Sequence, residues 1–316
     1  MASESGARAL PSPAFWNWRG HRIAWIRQGS PEAPKAVVLL HGFGASGRHW
    51  RHNIPVLAEE AEVFALDLLG FGASDKPPSQ LEGELPRAGA VRYGFALWAE
   101  LVADFMATHV CPPTSRRPVH LVGNSIGGVV ALAAAQLLCR RGMAPAQVVL
   151  IDCAQRTLDE RRVGQLPLGQ RLTRPLLKRM VRERWLTAPL FRFLARPAFI
   201  RQVLKVAYPT GANVDEDLVT LLHGPTQDAG AMESFRGFVN LFADVLAPDF
   251  LSELVLPVRM IWGSADPWES PQEAERWVRA FPSIRELQVL EGLGHCPHDE
   301  APEQVNPILR RWLQAD

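Results

Sequence analysis

The order of residues predicts an α/β protein, with a mostly parallel sheet, helices on both faces and a helical insertion. Three observations carry this. Short apolar runs at residues 36–40, 63–66, 119–122, 148–151, 258–262 and 287–290 alternate with segments of helical spacing. The run Gly123-Asn124-Ser125-Ile126-Gly127 sits where one of those strands gives way to an alanine-rich helix. Between about residues 154 and 248 the strand rhythm stops, and arginine and proline become frequent.

The first strand is expected at 21–27. Residues 36–40 form a fully apolar strand ending in His41-Gly42, and residues 50–57 have helical spacing behind it. A strand at 63–66 ends at Asp67, and the Pro-, Gly- and Glu-rich stretch 77–89 reads as an exposed loop. An amphipathic helix is expected over 95–110. Then come the strand and helix around Ser125 and a strand at 148–151. After the insertion, 258–262 and 287–290 resume the strands, with helices through Arg276-Trp277 and Ile308 to Leu313. Residues 1–153 and 249–316 are thus assigned to the sheet core and 154–248 to a helical cap.

At 316 residues the chain can bury one large core with an appended unit. Lys and Arg number 34 against 33 Asp and Glu, so no global field argues for nucleic acid. The four cysteines lack C-x-x-C spacing, and residues 1–8 lack the apolar core of a secretory signal. Both favour reduced thiols and a cytoplasmic location. Residues 119–138 carry no formal charge over a bilayer-spanning length, but Gly123, Asn124, Gly127 and Gly128 break the run into strand and helix.

A strained strand-to-helix turn lifts the Ser125 hydroxyl out of the sheet, making it a candidate nucleophile. A hydroxyl needs a base, and the base needs an orienting carboxylate. His295 follows the last strand in Gly292-Leu293-Gly294-His295, and Asp266 follows a strand in Trp262-Gly263-Ser264-Ala265-Asp266. As alternatives, Asp266 could cap a turn before Pro267, leaving Asp152 or Glu269 as the acid. His295-Cys296-Pro297-His298 could suggest a metal, though no third matched ligand cluster accompanies it. For the oxyanion of a tetrahedral intermediate, the N–H groups of Ile126 and of Phe43, in His41-Gly42-Phe43-Gly44, are the candidate donors. No metal or organic cofactor is required by this chemistry.

Together these segments, with Asp67-Leu68-Leu69-Gly70-Phe71-Gly72 and Asp266-Pro267-Trp268, resemble the α/β-hydrolase superfamily from about Trp16 to Trp312. The resemblance implies a cap inserted after the sixth strand. The pattern is similar to the epoxide-hydrolase and haloalkane-dehalogenase branch, whose nucleophile is an aspartate. Here it is Ser125, followed by Ile126 where the dehalogenases place a halide-binding tryptophan. Serine suits attack on a carbonyl, which favours an ester over an alkyl halide or epoxide. Asn124-Ser125-Ile126-Gly127-Gly128, Asp266-Pro267-Trp268-Glu269 and His295-Cys296-Pro297-His298-Asp299-Glu300 resemble the pheophytinase and chlorophyll dephytylase group more closely, which implies a phytyl ester of a tetrapyrrole as substrate. A scaffold that only binds an apolar ligand is the remaining alternative.

The insertion is rich in arginine from Arg156 to Lys205, interleaved with Leu176, Leu177, Met180, Val181, Trp185, Leu190, Phe191, Phe193 and Leu194. Such a pattern fits a basic amphipathic surface that touches anionic lipid. The other reading is a solvated helix face whose apolar side covers the site.

Overall fold

The computed structural model describes residues 10–111, 117–156 and 159–314, so residues 1–8 lie outside it. Its centre is an eight-stranded sheet: β1 (Ala14–Trp18), β2 (His21–Gln28), β3 (Ala36–Leu40), β4 (Glu62–Leu66), β5 (Val119–Asn124), β6 (Gln147–Ile151), β7 (Val258–Gly263) and β8 (Ile284–Leu290). The spatial order is β1-β2-β4-β3-β5-β6-β7-β8, with the pairs around β2 antiparallel and the others parallel. Because the chain leaves β3 for β4 on one side and then returns to β5 on the other, the order reverses at β3. In parallel sheets such a reversal opens a crevice at the carboxyl ends of the strands.

Among the described residues twelve α-helices accompany the sheet. Those of the sheet region are α1 (Ile54–Leu57), α2 (Phe95–Phe105) and α3 (Ile126–Arg140), followed after the insertion by α9 (Ala247–Leu251), α10 (Pro271–Ala280), α11 (Pro297–Glu300) and α12 (Pro302–Gln314). The period of two along β3 sends Ala36, Val38 and Leu40 into a core with α2, α3 and α10. Val37 and Leu39 instead meet Trp50, Leu309 and Trp312 on the other face. Both faces are dry, which explains strands that read as unbroken apolar runs.

The structure departs from the sequence reading at four places. β1 was not expected; it pairs with β2 through the two-residue turn Arg19-Gly20, both at positive φ (52° and 84°), the geometry that matches strand twist. Residues 50–57 are a 3-10 turn at Gly47–Trp50 followed by the single turn α1, since Pro55 lacks the N–H that would continue a helix through it. The helix expected to Val110 widens into a π turn after Phe105, closed by Cys111 N–H donating to Met106 O. The stretch 77–89 is not simply an exposed loop. Ser79 is buried, bridges to Val91, donates to Glu233 and accepts from Arg236.

Between β6 and β7 lie α4 (Leu168–Arg182), α5 (Arg184–Leu194), α6 (Pro197–Ala207), α7 (Glu216–His223) and α8 (Ala231–Val239), with no strand among the described residues. No helix among the described residues is long and apolar enough to cross a membrane, and the uncharged run at 119–138 is divided between β5 and α3.

Candidate active site

Ser125 joins β5 to α3 at φ 55°, ψ −122°, a conformation that costs a non-glycine residue on the order of 1–3 kcal/mol. The turn is held by its surroundings. Ser125 N–H donates to Ile151 O at 2.9 Å, while Ser125 O accepts from Gly128 N at 3.0 Å and Ala154 N at 3.1 Å. The flanking glycines are required by close approach. A Cβ on Gly123 would stand 2.2 Å from Gly127 O, and one on Gly127 would stand 2.3 Å from Leu40 O. The strain is therefore paid for by the packing of β5, α3 and β3 together, and the serine sits at the amino end of a fifteen-residue helix, where negative charge is favoured.

Asp266 and His295 leave the carboxyl ends of β7 and β8. His295 Nδ1 donates to Asp266 Oδ2 at 2.7 Å, and Ser125 and His295 line one cavity. Asp266 Oδ1 accepts from Trp268 N at 2.9 Å and Glu269 N at 3.1 Å. Burial alone would lift this carboxyl. The hydrogen bond and charge of His295, helped by the Trp268 N–H, carry it below the ordinary carboxylate range.

The two alternative acids lie beside Asp266 but differ in charge. Burial and the Asp266 charge hold Asp152 well above its usual range. Its Oδ1 accepts from Gly263 N at 2.9 Å. Burial pushes Glu269 up to about 8, against a hydrogen bond from Gln155 N and with the Asp266 charge adding to the rise. Burial thus favours the neutral form of both, whereas the contacts with His295 favour the ionised form of Asp266.

The loop after β3 comes to the serine from the other side. A Cβ on Gly42 would meet Asn124 Oδ1 at 3.0 Å and Ser125 Cβ at 3.2 Å, so Gly42 is needed for this approach, whereas Gly44, at φ 71°, makes the turn. His41 braces the loop: its Nε2 accepts from Leu68 N, and its Nδ1 lies 2.7 Å from Gly42 O. Phe43 and Ile126 both line the cavity that contains Ser125. Asp67 accepts from Gly47 N and Ala73 N and so shapes the neighbouring turn.

The cavity over Ser125 holds about 850 Å³ and is walled by both core and insertion, the latter contributing Leu177, Val181 and Leu190. A second cavity of about 260 Å³ adjoins it, sharing Phe43, Leu204 and Phe235 as walls. Phe43 stacks on Phe238 with ring centroids 4.1 Å apart.

Several positioning groups escaped the sequence reading. Asn124 Nδ2 donates to Ile151 O and His295 O, tying the elbow to the histidine loop. His295 N donates to Ala207 O at 2.9 Å. Tyr208 OH donates to Asp299 Oδ2 at 3.0 Å and lies 2.8 Å from His49 Nε2, and Asp299 also accepts from Arg51 Nε at 2.9 Å. Burial depresses His49 to about 4, so the ring is neutral at physiological pH and donates from Nε2 to the tyrosine. The run His298-Asp299-Glu300, immediately after His295, was the available signal. His298 packs on Trp50, at 4.3 Å between ring centroids, and Cys296 faces Tyr208, so these side chains do not converge with His295 on one point.

Similar proteins include pheophytinase, a chloroplastic protein of Arabidopsis thaliana, 26% identical over 349 residues that cover 98% of this chain and 68% of that one. The pimeloyl-acyl-carrier-protein methyl ester esterase of Aeromonas hydrophila is 26% identical over 289 residues, covering 88% of this chain and 94% of its own. Among solved structures, the epoxide hydrolase CorEH superposes with a TM-score of 0.73 at 19% identity, over 95% of this chain and 97% of that chain, a likeness of fold alone. The model of the alpha/beta hydrolase family matches residues 37–308, and the chain belongs to that family.

Proposed function

We propose that the protein is a serine hydrolase that cleaves an apolar carboxylic ester, with a phytyl ester of a chlorophyll-type pigment as the substrate class. The observation that carries the reading is the 2.7 Å bond from His295 Nδ1 to an ionised Asp266, in a cavity shared with Ser125. In this mechanism Ser125 Oγ attacks the ester carbonyl carbon while His295 Nε2 takes its proton, and Asp266 stabilises the resulting imidazolium. Phe43 N–H and Ile126 N–H receive the oxyanion. His295 then protonates the departing alkoxide, and water activated by the same ring releases the acid from the acyl-enzyme.

The pigment ester is supported by two features. The adjoining apolar cavities suit an ester with one bulky part and one long chain, and pheophytinase is among the relatives. The test is fluorophosphonate labelling of wild type and Ser125→Ala, followed by chromatographic assay of short esters and phytylated pigments. Labelling of wild type alone is expected, with turnover falling at least ~10⁴-fold in Ser125→Ala. Equal labelling or unchanged turnover would refute the nucleophile, and absent labelling would leave a binding protein. Short-ester cleavage without phytol release would remove only the pigment.

A further inference from the structure

The helices that begin the insertion present an unusual outer surface. Leu168, Leu172 and Leu176, each one helical turn from the next, are 74%, 81% and 72% exposed along one face of α4. Trp185, in the first turn of α5, is 70% exposed. On the opposite side of α4, Leu177 and Val181 line the cavity that contains Ser125. The helix is thus apolar on two sides, and only the inner one is covered.

Charge is segregated onto the same region. Residues 168–207 hold ten Lys and Arg against one Glu, leaving 24 basic against 32 acidic residues elsewhere. Some of these cations are neutralised, as Lys178 is by Glu160, Arg184 by Glu233 and Arg201 by Glu216. Arg171 and Arg182 instead donate to main-chain carbonyls, and among the described residues neither is in an ion pair with an acid. Among the described residues Arg179, at the end of the leucine row, is in no ion pair with an acid.

We infer that the outer face of α4, with Trp185, docks on an anionic lipid surface. Exposed leucines flanked by arginine, with a tryptophan nearby, are what an interfacial helix presents to headgroups and the first acyl carbons. Two other occupants fit less well. A second copy docked face to face would oppose two cationic regions across a symmetric contact, and a nucleic-acid backbone offers nothing to a row of leucines. The placement also sets the cavity directly behind the lipid-facing helix, so an apolar ligand held in the bilayer would meet the wall of Leu177 and Val181 without crossing bulk water.

The experiment is vesicle co-sedimentation of the full-length protein, with phosphatidylcholine alone or with about one third phosphatidylglycerol. The expected result is partitioning at least ~10-fold stronger onto the anionic vesicles, weakening as salt rises from about 0.05 to 0.5 M. The triple change Leu168→Ser, Leu172→Ser and Leu176→Ser should lose roughly tenfold or more, with circular dichroism reporting the fold. Leu172→Asp alone serves if the triple variant misfolds. Wild type that remains in the supernatant, or leucine variants that partition as wild type does, would overturn the inference. So would a lipid-free dimer that the leucine changes abolish, or duplex-DNA binding as tight as vesicle binding and indifferent to those changes. None of these readouts requires ester turnover.

Discussion

The two ends of the insertion are built from similar amphipathic helices and attached in opposite ways. The trailing half, at the stretch from Ala207 to α7, is bound to the histidine loop through buried polar groups. His295 N–H donates to Ala207 O, Tyr208 bridges His49 and Asp299, and Thr210 donates through N and Oγ1 to Glu300 Oε1 at 2.9 and 2.6 Å. Arg51 completes the junction by donating to Asp299, Asp215 and Asn213 O. The leading end leaves the sheet past Gln155, which bonds Glu269 and Ser270, and then turns leucines to the outside on α4. A helical pattern therefore fixes that a face is apolar but not what covers it. One end holds the histidine, and the other is available to a surface.

The strongest way to break this contrast is to cut the trailing junction. Asp299 is fully buried and accepts from Arg51 and Tyr208, so Asp299→Ala removes the acceptor of the Tyr208 hydroxyl and the buried half of Arg51's charge pairing, leaving the guanidinium with Asp215 and Asn213 O. A loss of roughly 3–5 kcal/mol is expected in urea unfolding, as for a half-removed buried ion pair. Turnover should fall with it, because the same loop carries His295. A midpoint shift no larger than that of a surface substitution would dissolve the distinction between the two ends.

The next effect probes the leading attachment. Glu269 is raised to about 8 in the fold from an ordinary 4.5, so between those values the folded state binds the extra proton. Stability from this group is therefore fully present below about 4.5, declines as pH rises and levels off above about 8. Glu269→Gln keeps an oxygen for Gln155 N–H and removes the titration. It should match wild type near pH 4.5 and exceed it by on the order of a few kcal/mol near pH 9. Thermal melts across that range check the sign, and a difference that is constant with pH would contradict it.

Tyr208→Phe is the milder cut at the trailing junction. It deletes one hydroxyl between His49 and Asp299 and should cost about 1–3 kcal/mol, the range for leaving buried polar groups unsatisfied. The more telling readout is the pH profile of ester cleavage: if Tyr208 merely packs, Tm falls and the profile keeps its shape, whereas a positioning role moves kcat without a matching change in KM.

These residues also mark where the sequence was legible. The Ser125 turn, Asp266 and His295 each lie in a local motif at a strand end, where spacing and glycine geometry are written in a few adjacent residues. Most strands were legible for the same reason, since a strand buried on both faces is a continuous apolar run. β1 was not, because its exposed and half-buried residues give no such run and its evidence is a turn conformation. Tyr208, Arg51 and Asp299 come together only through tertiary folding across 91 to 248 residues of chain, and no local pattern announces that. The outward row on α4 was half visible: Leu176 and Trp185 were singled out with residues such as Val181 and Leu190, which turn inward to the cavity. Leu168 and Leu172 were passed over because arginines surround them and no neighbouring element is named by sequence alone.

The smallest expected effect completes the contrast. Leu172 is the most exposed of the three leucines on α4, so Leu172→Ser removes almost no buried area. Serine is a modestly poorer helix former than leucine, and with nothing packed on the side chain the change should stay within about ±0.5 kcal/mol. Guanidinium unfolding of the isolated protein measures this directly. A loss of 2 kcal/mol or more, of order what a packed leucine gives up, would mean that this face is covered within the molecule, and the leading end would then be held as the trailing end is. Near-neutrality in solution means that the leucine contributes little to holding the chain together, which sets it apart from Tyr208 and Asp299 at the other end.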